Sequence, residues 1–119
     1  MTRVYVPATL PLLATLDRSG SLRVGDDVVI ASDDSEDAEY DALTMAAETS
    51  ATLAAELEIG ERRRVVVVAE VTALGEAVGL PDVVAVHADI VDLPEGADPA
   101  DLEDLGWYAT QEIPHLLLG

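Results

Sequence analysis

Four consecutive valines, Val65 to Val68, open a run that stays apolar through Ala69 and closes on Val71. Branching at Cβ stiffens such side chains against helix and suits them to a pleated surface. A strand exposed on one side would alternate apolar and polar residues, and this one hardly does. It reads as a central strand buried on both faces.

The same chain is strongly anionic. Acids outnumber bases 24 to 6, every base is an arginine, and the formal net charge is -18 over 119 residues. An anionic chain poor in apolar residues would stay disordered, but half of these residues are apolar. The composition therefore describes a small acidic globular domain, with residues 1–119 forming one compact unit. A chain of this size buries roughly two-thirds of its unfolded surface and needs no disulfide or metal staple. The absence of cysteine excludes thiolate catalysis, disulfides and cysteine zinc sites.

Met1 to Pro7 lacks the layout of a signal peptide, and no apolar run approaches the ~18 residues that span a bilayer. A cytoplasmic protein is expected. The negative field argues against direct contact with nucleic-acid phosphates and with anionic lipid surfaces. Two readings of the charge remain: solubility, including adaptation to a salty cytoplasm, or a surface that attracts a basic partner or imitates nucleic acid. Lysine, asparagine and phenylalanine are all missing, which points to a GC-rich genome and says nothing of mechanism.

Arg3 to Ala8 alternates and reads as a first strand. Thr9 caps a following helix with Pro11 in its first turn, and Ser19-Gly20-Ser21 ends it. Asp27 to Ala31 is a short second strand. Asp33 with Glu36 resembles a capping box for a long helix over 34–58. Its face is drawn by Tyr40, Leu43, Ala47, Ser50, Ala54 and Leu57, and Gly60 is its C-cap. Val65 to Val71 follows, then a loop punctuated by Gly75, Gly79 and Pro81, then a fourth strand from Val83 to Ala88. After a break at Leu93-Pro94-Glu95-Gly96, Asp98 and Pro99 open a last helix whose buried face runs through Leu102, Leu105, Ala109 and Ile113. Pro114 ends or kinks it, leaving His115 to Gly119 as an apolar tail. The order strand, helix, strand, helix, strand, strand, helix places the chain in the α/β or α+β class. The expected architecture is a single four-stranded sheet with about three helices, with Val65–Val71 and Val4–Val6 near its centre.

No complete catalytic or cofactor motif is present. An EF-hand loop begun at Asp33 fails at its sixth and twelfth positions, Ala38 and Thr44, so the acids from Asp33 to Asp41 read as a solvated helix start and no metal site is assigned. Dinucleotide, P-loop and nucleophile-elbow signatures are absent, and no cofactor is expected. Arg62, Arg63 and Arg64 form the one basic cluster, a candidate anion site, although cations after a helix C-terminus are also placed there by the dipole. His87 reads as a half-buried, hydrogen-bonded strand histidine rather than a general base. The segment richest in polar and aromatic chemistry is Trp107 to Pro114. As a helix it puts Trp107 with Gln111 and Tyr108 with Glu112 one turn apart. These four residues, with Thr9 at the head of the first helix, form the candidate ligand site, against the plainer reading of a core helix whose aromatics find hydrogen bonds at its edge.

Two segments carry a family resemblance. Arg3-Val4-Tyr5-Val6-Pro7-Ala8-Thr9 and Trp107-Tyr108-Ala109-Thr110-Gln111-Glu112-Ile113-Pro114 resemble those of a family of short, acidic actinobacterial proteins, a domain of unknown function. The resemblance implies a GC-rich actinobacterial source and a single cytoplasmic domain, and it brings no catalytic role to any position.

The leading functional expectation is a non-enzymatic interaction or regulatory protein whose acidic surface meets a basic partner. The alternative is a small enzyme or ligand-binding domain built on the Trp107 segment, and a third reading is a homo-oligomer joined through an apolar patch.

Overall fold

The computed structural model describes residues 2–33, 35–57, 62–73, 75, 77–89 and 105–118. The chain is α+β. Strand β1 (Thr2–Ala8) leads into helix α1 (Leu10–Ser19), β2 (Ser21–Arg23), β3 (Val29–Ile30) and helix α2 (Glu36–Ala55). Then come β4 (Val65–Val71), β5 (Ala77–Gly79), a 3₁₀ turn (Leu80–Asp82), β6 (Val83–Ala88), β7 (Gly106–Tyr108), a second 3₁₀ turn (Thr110–Glu112) and α3 (Ile113–Leu118). Five strands form one antiparallel sheet in the order β3-β1-β4-β6-β7, while β2 and β5 pair as a separate ribbon.

The valine run sits where its composition demands. Strand β4 is the middle strand of the five, with Val65 to Val68 all buried. Strand β1 lies beside it in unbroken register from Thr2 opposite Val71 to Ala8 opposite Val65. The side chains then divide by the two-residue period. Val4, Val6, Ala8, Val65, Val67, Ala69, Val86 and Ala88 join one apolar cluster, which Leu13 and Leu16 of α1, Ile113 and Leu116 of α3, and Leu22 and Val78 of the ribbon complete. Tyr5, Val66, Val68 and Ala85 face the other way, onto Ala42, Ala46 and Ala47 of α2.

The two covers are unequal, and this decides where a site can form. Five strands at ~4.8 Å spacing span about 19 Å, whereas one helix is only about 10 Å wide. Helix α2 packs on β3, β1 and β4. Among the described residues it is the helix on that face; toward β6 and β7 they leave Val84 and Trp107 exposed, with Leu105 partly buried on the same cluster.

Local signals explain the first helix. Thr9 Oγ1 accepts a hydrogen bond from the Leu12 N–H at 3.4 Å, and Pro11 occupies the first turn. Gly20 ends the helix with φ of 79°, a left-handed conformation that glycine adopts without strain. Helix α2 is capped by Ser35 rather than Asp33: Ser35 Oγ accepts from the Ala38 N–H, and Asp33 Oδ1 accepts from the Ser35 N–H. Its buried face runs through Ala38, Ala42, Ala46, Ala47, Ser50, Ala51 and Ala54. Tyr40 is 58% exposed. The expected face was rotated at its start because alanine carries little hydropathic weight, yet its small side chain lets the helix lie close on the sheet.

The architecture departs from expectation in three further places. The single four-stranded sheet is a five-stranded sheet plus a two-stranded ribbon. Segments as short as Ser21–Arg23 and Ala77–Gly79 show no periodicity and acquire their strand geometry from pairing with each other. The expected helix through Leu105 and Ala109 is interrupted by β7, and Pro114 stands in the first turn of α3 instead of ending a helix. Proline is tolerated there because its missing N–H has no partner in a first turn. A Cβ on Gly106 would lie 3.2 Å from Tyr108 Cε2, so a side chain at the strand start would press on the tyrosine ring and require it to shift by a few tenths of an ångström. The expected cap at Gly60, the break at 93–96, and the helix start at Asp98, Pro99 and Leu102 lie outside the described residues.

One buried polar residue ties the layers together. Ser50 Oγ donates to the Ala8 C=O at 2.7 Å and accepts from the Val65 N–H at 2.7 Å. Ser50→Ala would leave both groups buried without this partner. It is expected to lower stability by about 1–3 kcal/mol, read as a lower urea midpoint with an unchanged m-value.

Candidate functional site

The half-covered sheet face holds a groove of about 340 Å³, lined by Arg3 and Tyr5 of β1, Glu39, Tyr40 and Leu43 of α2, Val68 of β4, Val84, Ala85 and His87 of β6, and Trp107 of β7. Strand alternation explains the assembly. Tyr5 is opposite Val68, Val68 is opposite Ala85, and His87 is opposite Trp107. A bulge between Val68 and Ala69 pairs Ala69 with Val83 and leaves Val84 as the extra residue. Bulges re-aim side chains, and here Val84 and Ala85 both line the groove. Glu39, Tyr40 and Leu43 form the flank of α2 that hangs over the open side.

Three large apolar or aromatic side chains on this groove remain exposed: Trp107 at 62%, Tyr40 at 58% and Val84 at 42%. Tyr5 is buried in the floor. Arg3 is held by two carboxylates: Nη2 lies 2.7 Å from Glu70 Oε1, and Nη1 lies 3.4 Å from both oxygens of Glu39. The bond to Glu70, aided by the field of Glu39, raises the Arg3 pKa further. Burial, reinforced by Glu39 and partly opposed by Arg3, pushes the Tyr5 phenol up. Burial lowers the His87 pKa and so favours the uncharged imidazole. One guanidinium against two carboxylates leaves the charged trio with a net negative charge.

The residues singled out from sequence do not form one cluster. Trp107 lines the groove, but Tyr108, its neighbour on β7, points to the opposite face and packs on the cluster beneath α1 and α3. Gln111 is exposed in the 3₁₀ turn. Glu112 Oε1 accepts from the Ala109 N–H at 3.1 Å, which caps that turn, and Thr110 Oγ1 donates to the Val83 C=O at 2.9 Å, which fastens it to β6. The pairs Trp107/Gln111 and Tyr108/Glu112 therefore share no helix face. Thr9 is buried as the cap of α1.

The arginine cluster is similarly divided. Arg62 Nε donates to the Leu57 C=O at 2.7 Å, beyond the end of α2. Arg63 is partly buried. Arg64 grips Asp89 in a two-pronged pair, Nε to Oδ2 at 2.9 Å and Nη2 to Oδ1 at 2.7 Å, with side chains only 7% and 12% exposed. The Arg64 N–H also donates to Asp89 Oδ2, and the Asp89 N–H donates to the Arg64 C=O. This clasp closes the β4–β6 pair just beyond Val65 and Ala88.

Arg3, Tyr5, Glu39 and Tyr40 escape the sequence reading as site residues because the feature that unites them is one-sided helix cover. The alternation of β1, which puts Arg3 with Tyr5, was the available signal. His87 is half-buried as expected, but among the described residues no group hydrogen-bonds its ring. Among the described residues no three His, Asp or Glu side chains converge as a metal site, and no helix is long and apolar enough to cross a membrane.

A family of unknown function, DUF6912, matches residues 2–117. The chain belongs to that family. The matched span runs from β1 to α3, so DUF6912 embraces both sides of the groove, Arg3 and Trp107 included. No curated protein and no solved structure matches the chain.

Two outcomes test this geometry. Asp89→Ala removes the two-pronged carboxylate partner of the buried Arg64 guanidinium and is expected to cost about 1.5–3 kcal/mol in urea denaturation. For His87, the folded pKa lies below the unfolded value of about 6.5, so the unfolded chain takes up the proton first as pH falls. The His87 contribution is complete above that value and is lost as pH drops from 6.5 through the folded pKa. The stability of wild type relative to His87→Gln should therefore decline between pH 7.5 and acid; a pH-independent difference would contradict the burial of the ring.

Proposed function

We propose that this DUF6912 chain is a non-enzymatic binding module that receives a basic segment of a partner protein in the groove between α2 and the β6–β7 edge. The observation that carries the reading is the convergence of Tyr40, Val84 and Trp107, all exposed, on one groove beside an excess carboxylate. Exposed aromatic and apolar side chains gathered at one concavity mark interaction sites, and a chain of net charge -18 steers cationic partners toward them. The first turn of α2, with Glu36, Asp37 and Glu39, extends the same field to the groove's rim. A cytoplasmic setting goes with this reading.

The small-enzyme alternative draws less support, since of its proposed residues only Trp107 stands in the groove. Self-association through Tyr40, Val84 and Trp107 is the other rival. It would show as a concentration-dependent mass in light scattering that persists as salt rises.

Trp107 is the only tryptophan, so its fluorescence reports the groove directly. A lysine- and arginine-rich peptide is expected to give a saturable change that weakens as salt shortens the screening length to about 8 Å at physiological strength. An acidic peptide of equal length should give none. By direct calorimetry, Trp107→Ala should weaken binding by about 2 kcal/mol, the scale of an interface anchor. No saturable change with the basic peptide would overturn the reading.

A further inference from the structure

The two bonds of Arg3 are not equivalent. Its contact with Glu70, at 2.7 Å, has the length of a charge-assisted hydrogen bond. Its contacts with Glu39, both 3.4 Å, lie at the long edge of the range. Arg3 therefore belongs to Glu70, its cross-strand neighbour on β4. The Glu39 carboxylate is only loosely engaged, on the groove wall next to Tyr40 and one helical turn from Leu43.

Across the groove stand Trp107, Val84 and the half-buried His87. This is an environment for a flat cation on an apolar stem. Aromatic faces attract cations, tryptophan most strongly. A guanidinium stacks on a ring and offers a fork that matches a carboxylate, whereas an ammonium does neither. The three-carbon stem of an arginine would lie along Val84 and Leu43 while its head stays polar. An anionic ligand fits poorly, because the one guanidinium in the groove already faces two carboxylates.

We propose that the groove is a receptor for a single arginine side chain of the partner, with the guanidinium held among Tyr40, Trp107 and the Glu39 carboxylate while Arg3 remains on Glu70. This assignment rests on the binding-module reading and narrows it to one residue type. It also gives Arg3 a definite role, that of the internal competitor which occupies Glu39 when no partner is present.

The test uses the full chain and Trp107 fluorescence, with short, otherwise uncharged peptides that carry one arginine, one lysine or one citrulline. The arginine peptide is expected to bind about tenfold more tightly than the lysine peptide, and the neutral citrulline peptide to give no saturable signal. Glu39→Gln should weaken arginine binding by about tenfold and erase the preference over lysine. Arg3→Gln should strengthen it, a gain that a merely structural role for the residue would not produce. Unchanged urea midpoints certify that each variant is folded, and the wild-type peptide series stands without any variant. Equal binding of the arginine and lysine peptides, or full affinity in Glu39→Gln, would overturn the arginine assignment. If the polybasic peptide still binds in that case, the broader reading survives; if it does not, both fall.

Discussion

Seven consecutive cross-strand pairs, from Thr2 opposite Val71 to Ala8 opposite Val65, hold β1 against β4, and both faces of the protein are built outward from that ladder. Its alternation sends valines to one side for α1, α3 and the ribbon, and Tyr5, Val66 and Val68 to the other for α2. Ser50 secures the end of the ladder by bonding to both strands at once, and the Arg64–Asp89 clasp fastens the next pair along. The frame is closed at the Ala8–Val65–Ala88 end; Arg3 and Glu70 pair near the other end, and His87 with Trp107 lies toward the β7 edge.

The groove is a consequence of geometry more than of any motif. Among the described residues one face is covered by two helices and a ribbon and the other by a single helix, which is narrower than five strands. The uncovered strip is then furnished by the strand period. Arg3 and Tyr5 share a side of β1, His87 faces Trp107 across β6 and β7, and the bulge adds Val84. Helix α2 contributes its flank because its alanines, not its larger residues, are turned to the sheet.

The parts legible in the sequence were those with strong local chemistry. Val65 to Val71 declared a central strand through its β-branching, and Thr9, Pro11 and Gly20 marked the limits of α1. Membership of a family without known function was legible from the two end segments. Where several weak signals competed, the reading failed. Leu105, Ala109 and Ile113 keep a helical spacing, yet Gly106 interrupts it and the aromatic pair Trp107–Tyr108 takes the strand that β6 offers. That error put Tyr108, Gln111 and Glu112 beside Trp107, whereas pairing with β6 separates them and brings in His87. The groove itself, including Arg3, Glu39 and Tyr40, depends on contacts between residues far apart in the chain, for which a single sequence has no local mark.

The strand at the centre carries a liability as well as the fold. A stretch of consecutive valines without proline is the composition from which cross-β fibrils grow once it is exposed. In the native chain that stretch is paired on both edges and roofed on both faces. In the unfolded or nascent chain it is bare, and what stands guard is charge: three arginines immediately before it, Glu70 within it, and a surplus of carboxylates that drives copies apart. The acidity proposed to draw cationic partners to the folded protein thus doubles as an anti-aggregation coat for the unfolded one.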